Sequence, residues 1–199
     1  MRRKVFRFLL LFPLVATFFL ATTLVVSAQE PLPPPQPAKD YSPQLWKEYS
    51  FQAGKFRIKF PGEPRETVTT QGQVEAHSVA YKGLLQYAVI YAVYKSPMDD
   101  PKKVGGLLQY LKAGALESLR GNEIRIITER DVAVDGHKGI FMHIEVNKKT
   151  VVRFQWVVAG SSVYSISTWS RKASPYEMEG RADYEKIAAG FINSFHVLP

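Results

Sequence analysis

Asp135, His137, His143 and Glu145 fall within eleven positions of one another, and they are the residues of this 199-residue chain best suited to chemistry. Carboxylates and imidazoles are the usual ligands of a divalent ion. His143 and Glu145, two apart on an extended segment, would project from one face. The surrounding pattern reads differently. "DGHKG" (Asp135 to Gly139) has the form of a hairpin turn, and Met142, Ile144 and Val146 take the core face of the following strand, which leaves His143 outward. No metal ligand is therefore assigned, and whether the four side chains converge is left to the fold. His77 and His196 stand alone in the sequence.

Other chemistries lack their spacing. The serines of "AGSSVYS" (Ala159 to Ser165) sit in a hairpin turn without the strand, sharp turn and helix that expose a catalytic serine. Gly105-Gly106 is no phosphate cradle, because neither G-x-x-x-x-G-K-[ST] nor G-x-G-x-x-G occurs anywhere in the chain. Glu63, in "FPGEP", would lie on an exposed turn with no dry environment to make it an acid catalyst. Lys148, Lys149 and Arg153, and the pair Arg171-Lys172, read as solvated charges at strand ends. The sequence assigns no catalytic residue and no cofactor.

These residues must be positioned mainly by strands. "LWKEYSFQAGKFRIKF" forms two short strands meeting at Ala53-Gly54-Lys55, and "RETVTTQGQVEAHSVAYKG" continues the meander through a turn at Gln71-Gly72-Gln73. Between them, Pro61 and Pro64 withdraw two backbone donors while Gly62 supplies a turn, so the strand ending at Phe60 leaves its sheet at a set place. "LLQYAVIYAVYK" is apolar on both faces and marks a central strand.

Asp99-Asp100-Pro101 caps a helix carrying Val104, Leu107, Leu108, Leu111, Ala115 and Leu119 at helical spacing, and Gly121 ends it. Gly105, Gly106 and Gly114 weaken this helix and allow it to approach a sheet closely. Four strands follow: 123–134, 139–146, 151–158 and 163–169. In the third, Val152, Phe154, Trp156 and Val158 face a core, with Arg153 and Gln155 toward solvent. Alternation sets Phe141 and Trp169 opposite the aliphatic residues of their own strands, where a second layer or a partner would cover them.

Ser174-Pro175-Tyr176-Glu177 has the form of a capping box for a last helix, with Tyr184, Ile187, Ala188, Phe191, Ile192 and Phe195 in one stripe. The order of elements gives an α+β class, a largely antiparallel sheet with helices packed against it.

The first 28 residues are unlike the rest. Arg2, Arg3, Lys4 and Arg7 precede an almost continuously apolar run from Phe8 to Val26, and Val26-Ser27-Ala28 fits signal-peptidase cleavage after Ala28. The alternative is an uncleaved anchor, which would be the chain's one contact with a membrane. The chain has 26 basic and 18 acidic residues, a net of +8; without the four basic residues of this segment the balance is 22 against 18, or +4. That mild charge, with an export signal, argues against nucleic acid as a partner. There is no cysteine, which excludes disulfides, thiol catalysis and a cysteine-linked lipid anchor. Residues 29–45, rich in proline, form an extended spacer, and 46–199 form one α+β domain.

"FRIKFPGEP", "VDGHKGIFMHIEV", "RFQWVVAGSSVYSIST" and "FINSFHV" together resemble recurring segments of small exported bacterial proteins of unknown function that share a PsbP-like α/β sandwich. The resemblance covers about residues 46 to 197 and rests on positions such as Phe60-Pro61, Gly136, Gly139, Tyr164 and Phe191 to Phe195. It implies a fold and carries no catalytic signature. No metal-binding residue of the photosystem members matches a position here. The expectation is a non-catalytic, exported binding or accessory module at the cell envelope, whose partner is an envelope protein or ligand. The alternative is a hydrolase or metal-dependent enzyme whose site is assembled only by folding.

Overall fold

The computed structural model describes residues 43–71, 74–83, 85–171 and 184–199. The signal-like segment, most of the spacer, the turn at Gly72-Gln73 and the capping box at Ser174 to Glu177 lie outside the described residues.

Alternating residues make most of the chain extended, and the elements run β1 (Lys47–Phe51), β2 (Phe56–Phe60), β3 (Arg65–Gln71), β4 (Val74–Lys82), β5 (Gln86–Val93), α1 (Pro101–Ser118), β6 (Ile124–Val134), β7 (His137–Val146), β8 (Thr150–Ala159), β9 (Ser162–Arg171), α2 (Tyr184–Asn193) and β10 (His196–Val197). They make two sheets, ordered β1-β2-β10 and β3-β4-β5-β9-β8-β7-β6. Every registered pair is antiparallel. After β5 the chain crosses through α1 to the far edge at β6 and returns hairpin by hairpin until β9 closes against β5.

The opening meander is thus divided. Pro61 and Pro64 mark the passage from the small sheet, which ends with β2, to the large one, which begins at Arg65. Gly62 lies in the bend that follows β2, and its lack of a side chain serves a second purpose. Its backbone is not left-handed; instead a Cβ there would stand 2.5 Å from the ring of Tyr81, so glycine is needed to let that ring lie against the chain.

The middle strands of the large sheet are covered on both faces, where the sequence pattern suggested solvent on one, while the edge strands β3 and β6 stay largely exposed. On one side α1 contributes Val104, Leu107, Leu108 and Leu111 to a core with Ile140, Met142, Ile144, Val152, Phe154 and Trp156. On the other, α2 and the small sheet bury Phe56, Ile58, Phe60, Tyr87, Tyr91, Tyr164, Phe191 and Phe195. As a result β8 is buried along almost its whole length, and Arg153 and Gln155, expected in water, are 3% and 7% exposed beneath the α2 layer. Phe141 packs against the α2-side core and Trp169 meets Phe154 edge-on, so the domain covers each in part.

At the start of α1, Asp100 accepts a hydrogen bond from the Lys102 amide at 2.9 Å and Pro101 occupies the first turn, as the sequence implied. Gly105 and Gly106 do not mediate close approach: nothing lies within 4 Å of a Cβ built at either.

Candidate functional site

Residues directly opposite on neighbouring strands share a face. One such row crosses four strands beneath α2: Thr128 of β6 opposes His143 of β7, His143 opposes Arg153 of β8, and Arg153 opposes Thr168 of β9. It runs on to Tyr87 of β5, where the aromatic core begins. Three strands thus place a basic imidazole, a guanidinium and a hydroxyl side by side. Thr168 is wholly buried and Arg153 nearly so.

The guanidinium forms an ion pair with Glu185 in the first turn of α2, whose own side chain is 65% exposed. Glu145, two residues along from His143 and buried, pairs with the exposed Arg125 at 3.2 Å. Burial, then the charge of Arg153, holds the His143 imidazole below its ordinary pKa, and the carboxylates of Glu185 and Glu145 offset part of that. His143 Nε2, Arg153 Nη1 and Thr168 Oγ1 are buried without a hydrogen-bond partner among the described residues.

The structure separates the four residues singled out in the sequence. Asp135 occupies the β6–β7 turn with φ 49, followed by Gly136 at φ 84, and its carboxylate leaves the large sheet altogether. Oδ2 accepts the Val197 amide at 2.8 Å, and Oδ1 lies 3.3 Å from Nδ1 of His196, joining the turn to β10 of the small sheet. Burial acts to raise the Asp135 pKa, but the Val197 hydrogen bond, then His196 and Arg57, outweigh it and the net shift is downward. His137 begins β7 opposite Val134. Only His143 and Glu145 share a locality, and His143 is half-buried in place of facing solvent. Among the described residues no three His, Asp or Glu side chains are placed to hold one metal ion.

His196 finds Asp135 only through tertiary structure, and His77 is likewise not isolated. Its ring stacks on Tyr91 with centroids 4.6 Å apart, Nε2 lies 2.7 Å from Glu75 and Nδ1 lies 3.3 Å from Glu66. The Tyr91 hydroxyl donates to Glu66 at 3.1 Å, and burial together with that carboxylate raises the phenol well above its ordinary pKa. The serines near Ala159 lie in and beside the β8–β9 turn, where Gly160 takes φ 56, and Glu63 is exposed.

Sequence reasoning missed Arg153, Thr168 and Glu185 as members of a site. One signal was available: Arg153 interrupts "TVVRFQWVVA", a strand otherwise nearly free of charge. Chemically the row presents hydrogen-bond donors side by side, and its imidazole and hydroxyl are not set as a base beside a nucleophile. Strands are spaced about 4.8 Å apart, so His143 and Thr168, on either side of Arg153, are separated by two such steps and the imidazole cannot take the hydroxyl proton directly.

No protein family matches the chain, and no curated protein matches it. Solved structures do resemble it. Cyanobacterial PsbP (CyanoP) from Synechocystis sp. aligns over 84% of this chain and 99% of its own, with 11% identity and a TM-score of 0.51. The Ran-binding protein Mog1p of Saccharomyces cerevisiae aligns over 77% of this chain and 95% of its own, with 12% identity and a TM-score of 0.43. A protein of unknown function from Pseudomonas aeruginosa, described as a putative regulator, aligns over 67% and 86%, with 9% identity and a TM-score of 0.33. The likeness to cyanobacterial PsbP supports a PsbP-like fold for this domain and, at that identity, the fold alone.

Proposed function

We propose that the chain is exported and that its domain serves at the cell envelope as a non-catalytic binding or accessory module, with an envelope protein or ligand as partner. The observation that carries this reading is the parting of the reactive side chains. Asp135 is spent on clasping the C-terminal strand, His143 is half-buried opposite a guanidinium, and Glu145 pairs with Arg125. Among the described residues, the partners seen for Asp135 and His143 include no nucleophile. The basic, then apolar, then small-residue order of residues 1–28 supports export, and nucleic acid is not among the proposed partners. Among the described residues no helix is long and apolar enough to cross a membrane. In this reading the domain touches the membrane only if the signal segment is retained.

The full chain expressed in a bacterial host tests both halves. Export predicts a mature protein in the envelope fraction whose mass matches cleavage after Ala28, and crosslinking in intact cells should join it to a defined partner. An intact N-terminus on cytoplasmic protein would overturn export. Substrate turnover that is lost in His143→Gln would overturn the non-catalytic reading and establish the enzyme alternative.

A further inference from the structure

Buried polar atoms in folded proteins nearly always have a hydrogen-bond partner, so several orphans gathered in one place call for a partner from outside the fold, a water, an ion or a ligand. Among the described residues they are gathered on one row: His143 Nε2, Arg153 Nη1 and Thr168 Oγ1, on three successive strands. A guanidinium presents five donors in a fixed plane, a hydroxyl donates one hydrogen, and an imidazole tautomer can donate from Nε2. All three groups can therefore point hydrogens at oxygen. The partner that Arg153 has already taken is a carboxylate, that of Glu185, and the side chain bringing it is 65% exposed, so the contact connects a buried cation to solvent.

We propose that the His143–Arg153–Thr168 row is a binding site for a ligand carboxylate, with Glu185 occupying the place in the free protein and yielding it when the ligand arrives. This deepens the reading of the domain as a binding module and rests on it. A carboxylate fits better than a phosphate on charge. Glu145 and Glu185 both act on the His143 imidazole and so lie close to the row; exchanging one carboxylate for another preserves the local balance, whereas a dianion adds an uncompensated charge at a buried place. Arginine matches the planar, two-oxygen geometry of a carboxylate, and the Thr168 hydroxyl, one strand away, supplies a further donor. Glu185 is tethered, so it competes at high effective concentration and weakens the apparent affinity of the unaltered protein.

The test is a set of titrations with acetate, phosphate and sodium chloride at matched ionic strength, on the full domain, read by thermal melting and by the side-chain NMR signal of Arg153. Glu185→Ala, which removes the partner of the buried guanidinium and so starts from a lower melting temperature, should give a saturable rise in that temperature at acetate concentrations at least tenfold below those the unaltered protein needs. Adding Thr168→Val, nearly the same shape, should weaken that binding severalfold. Identical, non-saturating responses to acetate and chloride in Glu185→Ala would overturn the site, and so would phosphate binding as tight as acetate. Either result would leave the binding-module reading standing, since that reading is tested separately, by turnover and by crosslinking to a partner.

Discussion

A guanidinium in the middle of a sheet is costly unless it is paired, and Arg153 shows how a single residue sets the chemistry around it. Its most direct effect falls on His143, the opposing residue, whose neutral form is favoured by burial and then by the neighbouring positive charge. Because the folded pKa lies below that of the unfolded chain, the unfolded chain takes up its proton first as pH falls. The stabilising contribution is thus present above the ordinary histidine value of about 6.5 and is lost as pH falls from there through the lower, folded value. Urea midpoints measured at about pH 7.5 and about pH 5 should show this loss, and in His143→Gln that part of the profile should flatten. Equal slopes in the two proteins would show that the imidazole is not perturbed by its surroundings.

At the scale of elements, the last helix behaves as its apolar stripe implied. Ile187, Ala188, Phe191 and Ile192 of α2 are buried, with Phe195 just beyond its end. The Phe191 ring lies 5.2 Å from that of Phe60 in the small sheet and 5.0 Å from that of Tyr87 in the large one, so it is packed between both. Phe191→Ala should cost about 3 to 5 kcal/mol in denaturant melts, by loss of the buried ring and by the cavity left behind. A loss under about 1 kcal/mol would mean that the stripe is not held by the core. Glycine shows how differently one residue type can serve within elements. A Cβ on Gly139 of β7 would stand 2.3 Å from the Trp156 carbonyl oxygen, a backbone atom that cannot swing aside, whereas Gly105 and Gly106 of α1 face open space.

At the scale of the molecule, the two sheets are held together by side chains far apart in sequence. The Tyr164 hydroxyl of β9 donates to the Gly54 carbonyl in the β1–β2 turn at 2.7 Å, and Asp135 ties the β6–β7 turn to β10. Removing the latter tie in Asp135→Ala should cost about 1 kcal/mol, near the low end for a charged hydrogen bond because the pair is partly exposed. The sign of its pH dependence follows from its lowered pKa. The contribution is present above the ordinary carboxylate value and is lost as pH falls through the lower, folded one. Urea melts of the variant and the unaltered protein should therefore differ at neutral pH and converge in acid. A gap that persisted in acid would mean that the charge of Asp135 is not what holds β10.

Local order was legible in the sequence because it depends on near neighbours. Period-two alternation located the strands, the spacing from Val104 to Leu111 located α1, the stripe from Ile187 to Phe195 located α2, and the prolines around Gly62 marked the end of β2. Even the antiparallel character followed from short connections. What alternation cannot say is whether a strand's second face meets water or another layer, and on that point only the fold decided. Burial of Arg153 and Gln155 depends on α2 and the small sheet closing over β8, which involves segments distant in the chain on either side. The pairing of β10 with β2, and of His196 with Asp135, likewise needs the two ends of the domain brought together. The row of His143, Arg153 and Thr168 has no sequence spacing of its own, because its members are neighbours only through strand register, and register is a property of the assembled sheet.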